Sequence, residues 1–344
     1  MSTVPPISSI ALAIPTMTLG RAWVHDLDVK LAEAGKAGYQ GVEVFWEDLV
    51  YAAKKLVPDS GEQNEGAMLQ AAQYTRDLCE KNGLVVMALQ PFVNYEGLLD
   101  QVLHNELIVK LKLWFKIAKV LGTDLIQVPS QMNSEGTTGD IEEIVSDMKE
   151  IAKLGLKEDP PVRFAYEALS WGAHLDLWEQ VWDVVLKVDL PNFGTVLDTY
   201  HILARVYADP TVPSGLRPDA DASLAAALTH LAHTPTLPAK LFYMQLSDAA
   251  FLAPPLSPTH PFHDPAQPPA MQWSRNARLF PGEGYLPADA VLRVLLARGF
   301  RGWVSMEVFN RSMADADPRT PAAHARRGID SWQTLLERVA TDIQ

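Results

Sequence analysis

The sequence is short of cysteine: Cys79 is the only one in 344 residues, so no disulfide can form within the chain. That fits a reducing, cytoplasmic compartment. No run of about 18 apolar residues occurs, so no membrane-spanning helix is expected. Met1 to Pro6 lack a charged segment followed by an apolar core. They read as a loose tail and not as a signal peptide. Clusters of Lys or Arg are also missing. With a formal net charge of −13, the chain offers little to a nucleic-acid backbone or an anionic membrane surface. The Gly-x-Gly-x-x-Gly fingerprint of a dinucleotide fold is absent, and Gly282-Glu283-Gly284 is too short and too late to replace it.

What is present is alternation. Short apolar runs at 7–14, 41–45, 84–89, 124–128, 162–167, 193–198, 241–246 and 302–307 read as strands. Helical periodicity is expected at 26–37, 66–81, 107–121, 140–154, 174–188, 221–232 and 287–298, with a last helix carrying Trp332, Leu335 and Val339. Eight strands alternating with eight helices predict an α/β chain forming one (β/α)8 TIM-barrel domain over residues 1–344. Trp114 and Phe115 fall at core spacing on their helix. His104, His174, His230 and His233 fall on predicted helices and read as solvated. Residues 203–220 read as a loop. The stretch 250–286, with eight prolines, reads as a long irregular loop after strand seven, of a length that is usually functional.

The last four apolar runs each end in an oxygen-bearing side chain: Glu167, Asp198, Gln245 and Glu307. In a parallel barrel these ends converge on one face, where active sites are built. Three carboxylates and an amide oxygen suit a hard divalent cation, which would also relieve their mutual repulsion. Taken singly, each is equally well an ordinary solvated strand end. His201 follows Asp198 by three residues and is the best acid–base candidate, with a fifth ligand or a core histidine as the alternatives. Arg275 and Arg278 lie in the proline-rich stretch, and guanidinium groups suit a small anionic substrate. Gln90, Gln127 and Glu43 end strands three, four and two, as pocket-lining groups or as structural polar caps.

Several segments together carry a resemblance: Gly38-Tyr39-Gln40-Gly41-Val42-Glu43, Leu89-Gln90-Pro91-Phe92, Phe164-Ala165-Tyr166-Glu167-Ala168-Leu169, Trp273-Ser274-Arg275-Asn276-Ala277-Arg278 and Gly302-Trp303-Val304-Ser305-Met306-Glu307. From Ile10 to about Leu336 the chain resembles the xylose-isomerase-like barrel superfamily. Within it, the likeness is to the fungal 3-dehydroshikimate dehydratases of quinate catabolism. The resemblance implies one divalent metal, Mg or Mn, on Glu167, Asp198, Gln245 and Glu307. It implies an essential histidine at His201, as the base that removes the proton beside the substrate ketone. It also implies substrate binding by Ser274 and Arg278, with Arg278 on the carboxylate. One position departs: bacterial relatives carry Arg after Gln-Pro-Phe, where this chain has Val93. A sugar ketose isomerase or epimerase, using nearly the same ligands, is the second reading. An endonuclease-type barrel would need more strand-end histidines and a basic face.

Overall fold

Strands covered on both faces can be apolar throughout, and the predicted runs are of that kind. In the computed structural model, which describes residues 10–343, they form β1 (Leu12–Pro15), β2 (Gly41–Phe45), β3 (Val85–Gln90), β4 (Leu125–Pro129), β5 (Arg163–Glu167), β6 (Phe193–Asp198) and β7 (Leu241–Gln245). Two short strands, β8 (Asp248–Ala249) and β9 (Arg278–Leu279), pair antiparallel outside the barrel, and β10 (Trp303–Ser305) completes it. The eight parallel strands close in the order β1-β10-β7-β6-β5-β4-β3-β2. Pairing of Pro129 with Glu167, of Asp198 with Gln245, and of Gln245 with Ser305 brings the strand ends to one rim.

Small and slender side chains fill the barrel interior. Ala13, Ala88, Ala165 and Val196 pack there around Tyr243, whose hydroxyl reaches toward the rim. The larger cluster lies between strands and helices, and it contains both Trp114 and Phe115 as their spacing predicts. The outer layer comprises α1 (Leu27–Ala37), α2 (Trp46–Leu56), α3 (Glu65–Lys81), α4 (Gln101–Leu121), α5 (Ile141–Gly155) and α6 (Trp178–Val188), followed by α7 (Thr199–Val206), α8 (Ala220–His233), α9 (Leu237–Lys240), α10 (Pro269–Ala277), α11 (Ala288–Ala297) and α12 (Thr320–Ile343). The Asn64, Asp100 and Asp140 side chains accept from first-turn N–H groups and start α3, α4 and α5. Gly38 and Gly122, both in the left-handed region, end α1 and α4. Among the described residues, no helix is long and apolar enough to cross a membrane.

Several details differ from the sequence reading. Twelve α-helices are present among the described residues, against the eight expected. α2 follows β2 without an intervening turn residue, so no local signal marks its start. α7 runs to Val206, into the stretch read as loop. The 250–286 stretch is not irregular throughout, because it contains α10 and β9. Pro269 stands in the first turn of α10, where its missing N–H costs nothing. Strand eight is shorter than expected, and Glu307 lies two residues beyond its end. His104 is on a helix but buried, with Nε2 2.7 Å from Glu150, and is not solvated. His174 precedes α6 and contacts the Thr137 hydroxyl at 2.8 Å. The tail, and Ile7 to Ser9 of the first predicted strand, fall outside the described residues.

Candidate active site

The site begins with the junction of β6 and α7. Asp198 is the last residue of the strand and also the N-cap of the helix, where its Oδ1 accepts the Tyr200 N–H at 2.7 Å. His201 sits in the first helical turn, so the three-residue spacing places its ring beside that carboxylate. Nε2 lies 3.6 Å from Asp198 Oδ2 and 3.7 Å from Glu167 Oε1. Ligand atoms of Glu167, Asp198 and His201 all lie within 4.8 Å of one another, close enough to hold one metal ion.

Glu307 and Gln245 continue the group. Gln245 Nε2 donates to Glu307 Oε1 at 2.9 Å and to both oxygens of Glu43. Gln90 Nε2 bridges Glu43 and Glu307 at 2.9 and 3.1 Å, and Gln127 Nε2 donates to Glu167 Oε2. The Tyr243 hydroxyl donates to Glu43 at 2.8 Å. Gln90, Gln127 and Glu43 therefore brace the other carboxylates from beneath and beside. Three oxygens of this group are left over: Gln127 Oε1, Glu167 Oε1 and Gln245 Oε1 are buried and accept no hydrogen bond. Unpartnered buried oxygens among crowded carboxylates are the donor set a hard cation satisfies.

Burial sets the electrostatics. It pushes Glu307 up to about 8, despite the guanidinium of Arg278 beside it. Glu43 is raised by the same cause to about 7. Glu167 is raised by burial and by the charges of Glu307 and Asp198. For His201, burial outweighs Asp198 and lowers it to about 3, so the imidazole is neutral. Its Nδ1 accepts the Ser170 N–H at 2.9 Å. The neutral ring therefore carries its hydrogen on Nε2, the nitrogen beside the carboxylates.

The two arginines have different surroundings. Arg278 is fully buried, between the rings of Tyr200 and Phe309. Its guanidinium donates to Asp198 Oδ2 at 2.6 Å, to Glu307 Oε2 at 3.3 Å and to Ser247 Oγ. Arg275, on α10, is exposed, has no ion pair among the described residues, and lines the cavity. That cavity, of about 140 Å³, is also lined by Gln90, Val93, Glu167, His201, Ser274 and Glu307, with walls from Phe45, Trp171 and Phe309. Ser274 Oγ is buried without a partner. Asp198, Gln245 and Arg278 lie behind the lining. Sequence reasoning missed Ser170, Trp171 and Ser247. Trp171 packs edge-on against His201 at 4.7 Å and follows Glu167 by four residues, which was the one available signal.

The chain matches the model of the xylose isomerase-like TIM barrel family over residues 31–335. It is similar to the 3-dehydroshikimate dehydratase of Neurospora crassa, with 43% identity over 97% of this chain and 95% of that protein. The protein of the same name from Pseudomonas putida is 29% identical over 92% of this chain, but only 42% of its own length is covered. Among solved structures, a xylose isomerase-like TIM barrel/4-hydroxyphenylpyruvate dioxygenase fusion protein superposes with a TM-score of 0.72 and 27% identity, covering 96% of this chain and 43% of that one.

Proposed function

The chain belongs to the xylose isomerase-like TIM barrel family, and from that premise we propose that it dehydrates 3-dehydroshikimate to protocatechuate and water. The observation that carries this reading is the 43% identity to the Neurospora crassa dehydratase across nearly the whole of both chains. The site's chemistry supports it. The substrate carries a carboxylate, a ketone, a hydroxyl on the next carbon and a second hydroxyl one carbon further. The proton beside the ketone leaves with the far hydroxyl as one water, and a further ring proton is exchanged for one on the former ketone oxygen, leaving an aromatic ring, which makes the reaction hard to reverse.

Glu167, Asp198, Gln245 and Glu307 would hold one divalent cation, Mg or Mn, with the unpartnered Glu167 Oε1 and Gln245 Oε1 as the strongest support. Bound there, it would supply positive charge to the substrate oxygens on which negative charge develops. His201 handles a proton at Nε2. The Ser170 N–H on Nδ1 gives the resting ring an Nε2–H, so His201 meets the substrate as a hydrogen-bond donor to a developing oxyanion. The sequence reading of His201 as the base is the alternative that substitution of this residue separates. The substrate carboxylate is seated on Ser274 Oγ and Arg275, the partnerless hydroxyl and the unpaired cation of the cavity wall. Arg278 holds Asp198 and Glu307 in place from behind. Val93 at the rim leaves the anion-binding charge to Arg275. A reducing, cytoplasmic setting is supported by the lone Cys79, which is buried and unpaired.

The test is direct. The protein, supplied with Mg or Mn, is mixed with 3-dehydroshikimate and followed for a new aromatic absorbance band. Turnover of free ketoses with none of 3-dehydroshikimate would place the protein with the isomerases and epimerases instead.

A further inference from the structure

Four polar atoms on residues that line the cavity are buried without a hydrogen-bond partner: Glu167 Oε1, Ser274 Oγ, Trp171 Nε1 and Gln127 Oε1. The function proposed above gives a part to the first two and none to Gln127 Oε1. The place of Gln127 follows from strand alternation, since every second residue of β4 faces the barrel interior. Gln127 pairs in register with Ala165, and Ala165 and Leu125 both belong to the interior packing around Tyr243. Gln127 therefore stands two residues beyond Leu125 on the same inward face. There it lines the cavity and is 2% exposed.

The amide is held in one orientation. Gln127 Nε2 donates to Glu167 Oε2. A carboxylate only accepts, so the nitrogen end faces Glu167 and the carbonyl end faces elsewhere. The oxygen it holds is not the one that lies 3.7 Å from His201 Nε2, which is Glu167 Oε1. Nothing around the carbonyl end answers it. Gln90 has its amide nitrogen on Glu43 and Glu307. Pro91, Val93, Pro129, Met132 and Leu169, which line the cavity from the ends of β3, β4 and β5, have no side-chain donor. Trp171 Nε1 is itself unpartnered, so the two do not meet. Leaving a buried carbonyl without a donor is costly. A side chain needed only to brace Glu167 would gain nothing from that cost, whereas a donor arriving with the substrate removes it.

We propose that Gln127 is a specificity-determining residue, whose Oε1 accepts a hydrogen bond from the substrate hydroxyl beside the ketone. The inference rests on the dehydratase reading above. The carboxylate and ketone of 3-dehydroshikimate only accept, so its two hydroxyls are its only polar donors. The far hydroxyl leaves as water, and an acceptor drawing on its hydrogen would make it a poorer leaving group. The retained hydroxyl meets no such conflict.

The experiment uses an analogue that lacks the hydroxyl beside the ketone. It can still lose the far hydroxyl together with a proton from the carbon beside the ketone, and pass a ring proton to the ketone oxygen. The product is then a benzoate with one hydroxyl. The ratio of kcat/KM for substrate over analogue is measured with saturating Mg in the wild type and in Gln127→Met. Loss of the brace on Glu167 slows both compounds alike and leaves the ratio untouched. Loss of the acceptor penalises the substrate alone, so the ratio should fall by about tenfold, the worth of one buried hydrogen bond. The ratio of affinities for the two aromatic products, read by calorimetry, should fall in parallel. Gln127→Asn keeps the amide but withdraws it by one methylene. It should lower both ratios less, and it gives the same reading should Gln127→Met not fold. Ratios equal to those of the wild type in a folded, metal-loaded variant would overturn the proposal and leave Gln127 a brace. A wild type that turns over neither compound would instead remove the dehydratase reading, and the proposal with it.

Discussion

The fold buries charge in two places and balances it differently. Lys30 and Asp48 are both buried and matched one to one. Lys30 Nζ donates to Asp48 Oδ1 and, at 2.8 Å, to the Gly20 carbonyl, while Thr16 Oγ1 donates to Asp48 Oδ2 at 2.6 Å. In the cavity region four carboxylates, Glu43, Glu167, Asp198 and Glu307, are buried against one guanidinium, that of Arg278. The first cluster is complete and ties α1 and α2 to the turn after β1. The second has more carboxyl groups than cations, and it has unpartnered oxygens. Burying charge is costly unless it is paired, so a balanced cluster is a fastening and an unbalanced one is a place for a ligand.

Substitution should separate the two clusters. Lys30→Met leaves Asp48 buried and unpaired, and should lower unfolding free energy by about 3–5 kcal/mol in denaturant titrations. Added Mg or Mn should not recover that loss. A loss that the cation does repair would erase the distinction. Glu307→Gln replaces a carboxyl group that burial already keeps largely protonated in the metal-free protein, which should therefore be no less stable than wild type. Its metal affinity and turnover should nonetheless fall together, by about a hundredfold or more, since even outer-shell changes at metal sites cost tenfold to a hundredfold.

His201 refines the picture within the unbalanced cluster. His201→Ala should lower turnover by roughly a hundredfold at normal folding and metal content. His201→Gln, which restores an N–H donor but cannot exchange a proton, should keep distinctly more activity. Equal losses in the two variants would give the residue the part of a base. The smallest effect is expected at the rim. Arg275→Ala should raise KM for 3-dehydroshikimate by about two- to fivefold, a modest ion-pair contribution at a solvent-exposed site. An analogue with an amide for the carboxylate should be nearly indifferent to it. A carboxylate-specific loss in Arg278→Ala instead would mean that Arg278 leaves Asp198 and Glu307 to take the substrate.

The balanced cluster was invisible in the sequence, whereas much of the unbalanced one was legible. Glu167, Asp198, Gln245 and Glu307 stood out because a carboxylate or amide at the end of an apolar strand is a local pattern, and parallel-barrel topology gathers such ends. The barrel itself was readable from alternation of strand and helix. What escaped depends on distant partners. Arg278 is held by Asp198, 80 residues earlier, and the His201 tautomer is set by Ser170. α10 was hidden by the prolines around it, although Pro269 suits a helix start. Lys30 gave no signal of its burial because its partner Asp48 lies on α2, the helix that had no start signal.

The central claim is that the surplus carboxylates take up a divalent cation. It is tested by titrating Mn into chelator-treated protein at pH 7, with heats recorded in two buffers of different ionisation enthalpy. Burial holds Glu307 at about 8, so at pH 7 it is largely protonated without the cation. Binding must then release protons. The account predicts one site per chain, a net proton release, and loss of both in Glu307→Gln. Binding without proton release, or full turnover of demonstrably metal-free protein, would contradict it.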